Sequence, residues 1–237
     1  TRPGAPPVPQ EEELARVVPL VREAVRFGVP ISVDTFKPAV MQAVLDLGAD
    51  IINDIRALGQ PGAVEVVSRH PSCGICLMHM HRDPLTMQVL PMQGDVVPSV
   101  RTFLSQAAVR ATSAGVAHER IVLDPGIGFG KTVAQNFSLM ARQAELLAEG
   151  FPLLVGWSRK SSLGAVTATQ GVAPGAASRL AASVAAAVLA VDRGATIVRV
   201  HDVLETVQAL AVWAAMREQA ALDSHVLIAK KDQGTLG

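Results

Sequence analysis

The stretch IVLDPGIGFGKT, residues 121–132, opens as an apolar run, delivers Asp124, turns through three glycines and closes on Lys131 and Thr132. A glycine-rich turn ending in Lys-Thr looks like a phosphate loop. The Walker spacing, however, requires a glycine at position 125, where the chain has Pro125. The dinucleotide-binding spacing accepts Gly126 and Gly128 and then meets Lys131 where its third glycine belongs. What remains is a short buried strand with a carboxylate at its C-terminal end and a tight turn after it.

The same unit recurs along the chain. PISVD (30–34), DIIND (50–54), GICLMH (74–79), RIVLD (120–124), PLLVG (152–156) and TIVRVH (196–201) are short, continuous apolar runs, as parallel strands covered on both faces read. Amphipathic or alanine-rich segments lie at 11–26 and between the strands, at about 37–47, 61–70, 96–115, 134–149, 177–193 and 202–221. Strand and helix alternate throughout, so the fold class is α/β with a parallel sheet.

Polar residues decide between an open sheet and a closed one. Asp34, Asn53 with Asp54, His79, Asp124, Ser158 with Arg159 and Lys160, and Arg199 with His201 all fall at or just beyond strand C-termini. An open doubly wound sheet feeds its crevice mainly from strands beside the switch point, whereas a (β/α)8 TIM barrel points every strand end at one site. The barrel accounts for all six ends, and the sequence supplies about six of its eight β/α units. A single domain over 1–221 with a C-terminal tail over 222–237 is expected, because no Pro/Ser linker or charge block divides the chain.

Composition excludes several classes. Lys plus Arg equals Asp plus Glu at 21 each, and with 3% aromatics and no tyrosine there is neither a basic excess for a phosphate backbone nor much to stack on bases. No nucleic-acid partner is expected. The most apolar run, Leu180 to Val191, is far shorter than the roughly 20 residues that cross a bilayer, and no leader pattern opens the sequence. No membrane partner is expected, and two cysteines suit a reducing, cytoplasmic setting.

Competing readings stand beside each residue. Asp34 could be a helix N-cap, Asn53 and Asp54 turn residues, and Lys160 a solvated loop lysine. Arg199 lies inside an apolar strand and shares a face with His201, which argues against a merely structural arginine. Cys73 and Cys76 have redox spacing but run into a strand instead of opening a helix, so Cys76 reads as core. His79 and His81 share a face and could ligate zinc, yet no carboxylate or third histidine stands nearby at ligand spacing.

Taken together, ISVDTFKPAV, GADIINDI, CLMHMHRDPLTMQ, LDPGIGFGKT, LLVGWSRKSSLG and GATIVRVHDVLET occur in the order and approximate spacing of the dihydropteroate synthases of folate biosynthesis. The opening TRPGA and EEELARVVPLV resemble that family's second loop and the following helix, and the resemblance runs from Thr1 to about Arg217. It implies that p-aminobenzoate displaces pyrophosphate from 6-hydroxymethyl-7,8-dihydropterin pyrophosphate, giving 7,8-dihydropteroate. Pterin-binding methyltransferases share the barrel but would not be expected to carry SRKS and RVHDV. A non-catalytic pterin-binding paralogue would lose the pyrophosphate or benzoate contacts.

The resemblance also implies roles. Asp124, Asn53, Met78, Asp34 and Lys160 would bind the pterin, with Asp124 accepting from its guanidine-like edge. Asp34, Lys160 and Arg199 would be catalytic, Asp34 steadying the cationic methylene left when pyrophosphate departs. Arg2, Arg199 and His201 would take the pyrophosphate with Mg2+. Phe129, Lys160, Ser161 and the loop residues Thr1, Arg2 and Pro3 would contact p-aminobenzoate. None of these residues is a metal ligand: the asparagine that holds magnesium in the family lies in a first loop expected ahead of Thr1, together with two strands. On that reading the chain is N-terminally incomplete, and as written it would bind pterin weakly and not turn over. A homodimer packed through the helices around 177–190 and 203–213 is expected as well.

Overall fold

The structure, a computed structural model, describes residue 4, residues 6–87 and residues 89–233, with side chains described through residue 220. Helix α1 (Gln10–Ala24) leads into β1 (Ser32–Asp34), α2 (Pro38–Asp46), β2 (Ile51–Asp54), α3 (Ala63–Arg69), β3 (Gly74–Met78), α4 (Val96–Ser113) and β4 (Ile121–Asp124). There follow α5 (Val133–Ala141), α6 (Ala144–Leu147), β5 (Leu154–Val155), α7 (Ser161–Val166), α8 (Leu180–Asp192), β6 (Ile197–Val198) and α9 (Val203–Gln233).

Strands β1 to β4 pair in parallel in chain order, and β5 pairs in parallel with β6. A parallel bridge between Leu123 and Leu153, with the Leu123 N–H donating to the Pro152 carbonyl at 3.0 Å, joins the two groups. The result is a six-strand parallel array whose C-terminal ends face one way. This is the strand arrangement of the expected barrel.

Register fixes which residues stand side by side. Asp34 is opposite Asn53, Asn53 opposite Cys76, and Met78 opposite Asp124. Behind the sheet, Ile75, Leu77, Ile121 and Leu123 belong to the same buried cluster as Val97, Leu104 and Ala108 of α4. Each fully buried aliphatic side chain of this kind contributes about 1.5–3 kcal/mol, so register slippage would be heavily penalised. Local signals agree with the global ones: Asp95 caps α4 by accepting from the Val97 N–H, and Thr132 and Gln135 form a reciprocal capping box on α5.

Several boundaries differ from the sequence expectation. The run TIVRVH contains only two strand residues, because the ladder of β6 ends once the Arg199 N–H has donated to the Val155 carbonyl at 3.0 Å. The segment 134–149 is two helices, α5 and α6. Helix α7 falls outside the helical segments read from periodicity, and α9 runs on through the segment read as a tail. Cys73 and Cys76 are free and buried, and burial pushes the Cys76 thiol well up from its ordinary value, which suits a core residue and not a thiolate.

The exit of β4 is packed against the exit of β3. Gly126 has φ +67°, and a β-carbon built there would lie 1.9 Å from the His79 carbonyl oxygen. Gly150 also has positive φ, but open space surrounds it. Gly126→Ala is therefore expected to destabilise the fold by at least ~2 kcal/mol, from strain and collision together, and Gly150→Ala by about 1 kcal/mol. Denaturant midpoints of the two variants would check this, and equal losses would contradict it.

Candidate active site

At the C-terminal ends of the strands lies a cavity of about 730 Å³ to which every strand contributes. Asp34 comes from β1, Asn53 from β2, Met78 from β3, Asp124 and the loop 126–129 from β4, Ser158 to Ser161 from the loop after β5, and Arg199 and His201 from the end of β6.

One side of the cavity is dry. Asn53, Met78 and Asp124 are buried, and Met78 packs with Ile55, Met87 and Phe129 in a small apolar cluster. The Asn53 amide donates to Asp34 Oδ1 at 2.8 Å, while Asn53 Oδ1 is buried with no hydrogen-bond partner among the described residues. An unpaired buried acceptor costs on the order of 1–3 kcal/mol, so this oxygen is suited to a ligand that brings a donor. Asp124 Oδ1 accepts the Gly126 N–H at 2.7 Å. Burial raises its carboxyl to about 6, against the opposing pull of that hydrogen bond and of Lys160, Lys131 and Arg199.

The other side is wet and cationic. Arg199 is 60% exposed and forms an ion pair with Asp34, so a side chain from beyond β6 reaches the end of β1 across the rim. This corrects the sequence picture of a poorly solvated arginine inside a strand: Arg199 stands just past β6 and faces the cavity mouth. Ser158 Oγ lies 2.8 Å from His201 Nδ1 and accepts the His201 N–H at 3.1 Å, fixing the exposed ring. Lys160 sits between the two sides, half-buried, with Nζ 4.4 Å from the centre of the Phe129 ring. Burial lowers its pKa, Asp124 pulls it back up, and Ser161 follows at the exposed first turn of α7.

Backbone geometry in SRKS is held from outside. Arg159 has φ +59°, an unusual value for a side chain of this size. Its guanidinium binds Asp202 through two nitrogens, its N–H donates to Ser183 Oγ at 2.9 Å, and its carbonyl accepts from Arg179 at 2.9 Å. Sequence reading placed Ser158, Arg159 and Lys160 at the rim but had no signal for Arg179 or Ser183, which lie some twenty residues away. Nor did it find the buried Asn136 or the inward turn of Lys131. The paired histidines part company: His79 is buried with Nδ1 2.9 Å from the Lys131 ammonium, so that nitrogen is already engaged. Thr1, Arg2 and Pro3 lie outside the described residues.

Residues 1–201 match the model of the pterin binding enzyme family. The chain belongs to the pterin-binding enzymes. Within this family it groups with the dihydropteroate synthases. It is 50% identical to the dihydropteroate synthase of Neisseria meningitidis serogroup B over 220 residues, 91% of this chain and 76% of that protein. The crystal structure of Burkholderia cenocepacia dihydropteroate synthase complexed with 7,8-dihydropteroate superposes with a TM-score of 0.85 at 51% identity, covering 94% of this chain and 80% of that one. The Xanthomonas albilineans enzyme with 4-aminobenzoic acid superposes with a TM-score of 0.85 at 45% identity, over 92% and 76% of the two chains. Pterin-binding enzymes of this kind are TIM barrels, and the described residues contribute six parallel strands of that architecture here.

Proposed function

We propose that this cavity performs the dihydropteroate synthase reaction of folate biosynthesis with its dry side on the pterin and its wet side on the pyrophosphate. The amine nitrogen of p-aminobenzoate forms a bond to the pterin methylene carbon. The bond from that carbon to the pyrophosphate oxygen breaks, pyrophosphate keeps the electron pair, and the amine gives up a proton. The observation that carries the assignment is the buried pair at the cavity floor, an Asp124 carboxylate and an Asn53 oxygen that both require donors. A pterin's guanidine-like edge supplies such donors in a row.

The remaining roles follow from position. Asp34 at the rim faces the methylene that becomes cationic, and fixed charge near developing charge is the strongest form of help a site gives. Arg199 and His201 stand where the leaving group departs, and a guanidinium suits phosphate oxygens. Phe129, Lys160 and Ser161 border the remaining wall, with an apolar ring for the benzoate ring and donors for its carboxylate. Met78 closes the pterin side from below. Thr1, Arg2 and Pro3, to which the sequence assigns the same substrates, lie outside the described residues.

The described residues do not hold a magnesium ion on their own: both oxygens of Asp34 are engaged, by Asn53 and Arg199, and no group of three His, Cys, Asp or Glu side chains is placed to hold a metal. Magnesium would arrive with the pyrophosphate oxygens, as it commonly does with phosphate substrates. Among the described residues no helix is long and apolar enough to cross a membrane.

An exposed apolar face accompanies the site. Leu189 of α8 and Val203, Leu204, Val207 and Val212 of α9 are exposed, and the two helices are tied by the Trp213 indole donating to Asp192 at 2.9 Å. A homodimer through this face is proposed, the commonest closed assembly. Light scattering at micromolar concentration is expected to give twice the chain mass, and a strictly monomeric mass would refute it.

Asp124→Asn is expected to abolish pterin binding without lowering the stability of the free protein, since it replaces a buried carboxylate by a neutral group that can still accept the Gly126 N–H. In the unaltered protein Asp124 is ionised above about 6 and protonated below it. Pterin affinity should therefore hold at neutral pH and fall by up to roughly tenfold per unit as pH drops below that value. Calorimetry across pH would check both, and unchanged affinity in Asp124→Asn would sink the assignment. Arg199→Ala should weaken pyrophosphate binding by roughly tenfold to a hundredfold, the worth of a charged hydrogen bond. Affinity for a pterin lacking pyrophosphate should stay nearly constant, and an equal fall in both would make Arg199 structural.

A further inference from the structure

Lys131, which gives the stretch 121–132 its phosphate-loop look, does not line the cavity. It is 3% exposed, and its ammonium lies beneath the loop that follows β4. Nζ stands 2.9 Å from the Gly126 carbonyl oxygen, 3.2 Å from that of Phe129 and 2.9 Å from His79 Nδ1, with the His79 carbonyl at 3.5 Å. An ammonium has three donors and no acceptor, so three close acceptors use it fully, and His79 must carry its proton on Nε2.

A second buried side chain works from the other side. Asn136, 1% exposed, accepts the Gly128 N–H at 2.9 Å and donates to Ser162 Oγ at 2.9 Å, linking the loop to the first turn of α7. The groups so held are the ones that touch Lys160. A β-carbon on Gly128 would lie 3.3 Å from Lys160 Cδ, and the Phe129 ring carries Lys160 Nζ on its face.

The pterin side is positioned differently. Asp34, Asn53, Met78 and Asp124 are strand residues whose places are set by backbone pairing. Lys131 is costly to keep where it is: burial pushes it down to about 7, and no carboxylate is in hydrogen-bond contact, with Asp124 and Lys160 acting on it only at longer range. Apart from a longer-range pull on the Asp124 carboxyl, every close contact of that cation shapes the loop and its junction with His79.

We infer that Lys131 and Asn136 are positioning residues for the p-aminobenzoate half of the site, fixing the Gly126–Phe129 loop and through it Phe129 and Lys160, while the strand residues of the pterin half, Asp34, Asn53, Met78 and Asp124, are placed without them. This rests on the assignment of Phe129 and Lys160 to the benzoate. The test is steady-state kinetics of Lys131→Met, which keeps the side-chain length without donors, and of Asn136→Ala, with Phe129→Ala alongside and urea unfolding of all three. Misplacement of a reacting wall by a fraction of an ångström is expected to raise KM for p-aminobenzoate by at least roughly tenfold in both positioning variants. KM for the pterin substrate should stay within about threefold, and the urea midpoint of Lys131→Met should fall only modestly, because relief of a buried charge is set against acceptors left without their donor. If Lys131→Met fails to fold, Asn136→Ala alone must show the benzoate-selective rise or the inference falls. Two unchanged KM values, or both rising together with lost stability, would overturn it. If Phe129→Ala raises the benzoate KM and the other two do not, the inference fails alone. A silent Phe129→Ala removes the benzoate assignment and the inference together.

Discussion

Parallel pairing in one register is the constraint on which everything else in this molecule depends. It turns strand residues that are distant in sequence into neighbours at a common height, with Asp34 beside Asn53 and Met78 beside Asp124. Aliphatic burial behind the sheet enforces it, since a slip of one residue would turn Ile75, Leu77, Ile121 and Leu123 away from α4 and bring polar residues into their places. The hydrophobic core thus sets the chemistry indirectly, by allowing only one alignment of the polar ends.

Within that frame, burial and charge oppose each other. Asp124 attracts Lys131 and Lys160, while the two lysines repel each other, and desolvation outweighs the attraction in each case: the carboxyl is pushed up and both lysines are pushed down. The free site is therefore under-solvated and under-paired at its floor, where Asn53 Oδ1 also lacks a partner. A ligand with a row of donors relieves that condition. Part of the binding free energy is thereby stored in the unliganded fold, at some cost in its stability.

What could be read from the sequence followed the two kinds of positioning. Asp34, Asn53 and Asp124 were legible because a polar residue closing an apolar run is visible locally, and strand alternation with helices implies that such ends converge. Lys131 was visible but misleading. Its spacing to the glycines suggests a phosphate contact, and only the three-dimensional turn through Gly126, Gly128 and Gly130, all with positive φ, shows the side chain tucked under the loop. Arg199 does line the cavity, but its solvation differs from the reading, since the apolar run extends beyond the two residues that pair. Asn136, Arg179 and Ser183 left no trace, because each is an ordinary helix or helix-flanking residue whose importance lies in a contact with a distant loop.

That division has a consequence for how the two substrates are treated. A strand residue is located by several backbone hydrogen bonds and by packing on both sides, so no single side-chain change moves it far. Loop residues such as Arg159 and Phe129 have no such ladder, and their placement rests on one or two side chains apiece: the half-buried Arg179 and buried Ser183 for the first, the buried Lys131 for the second. On the proposed assignment of these residues, pterin recognition is accordingly the sturdier half of the site and the anion and benzoate contacts the more adjustable half. Sequence change outside the cavity would alter the second while leaving the first intact, and this holds whether the change strikes α8, which steadies the SRKS loop, or α5, which carries Asn136.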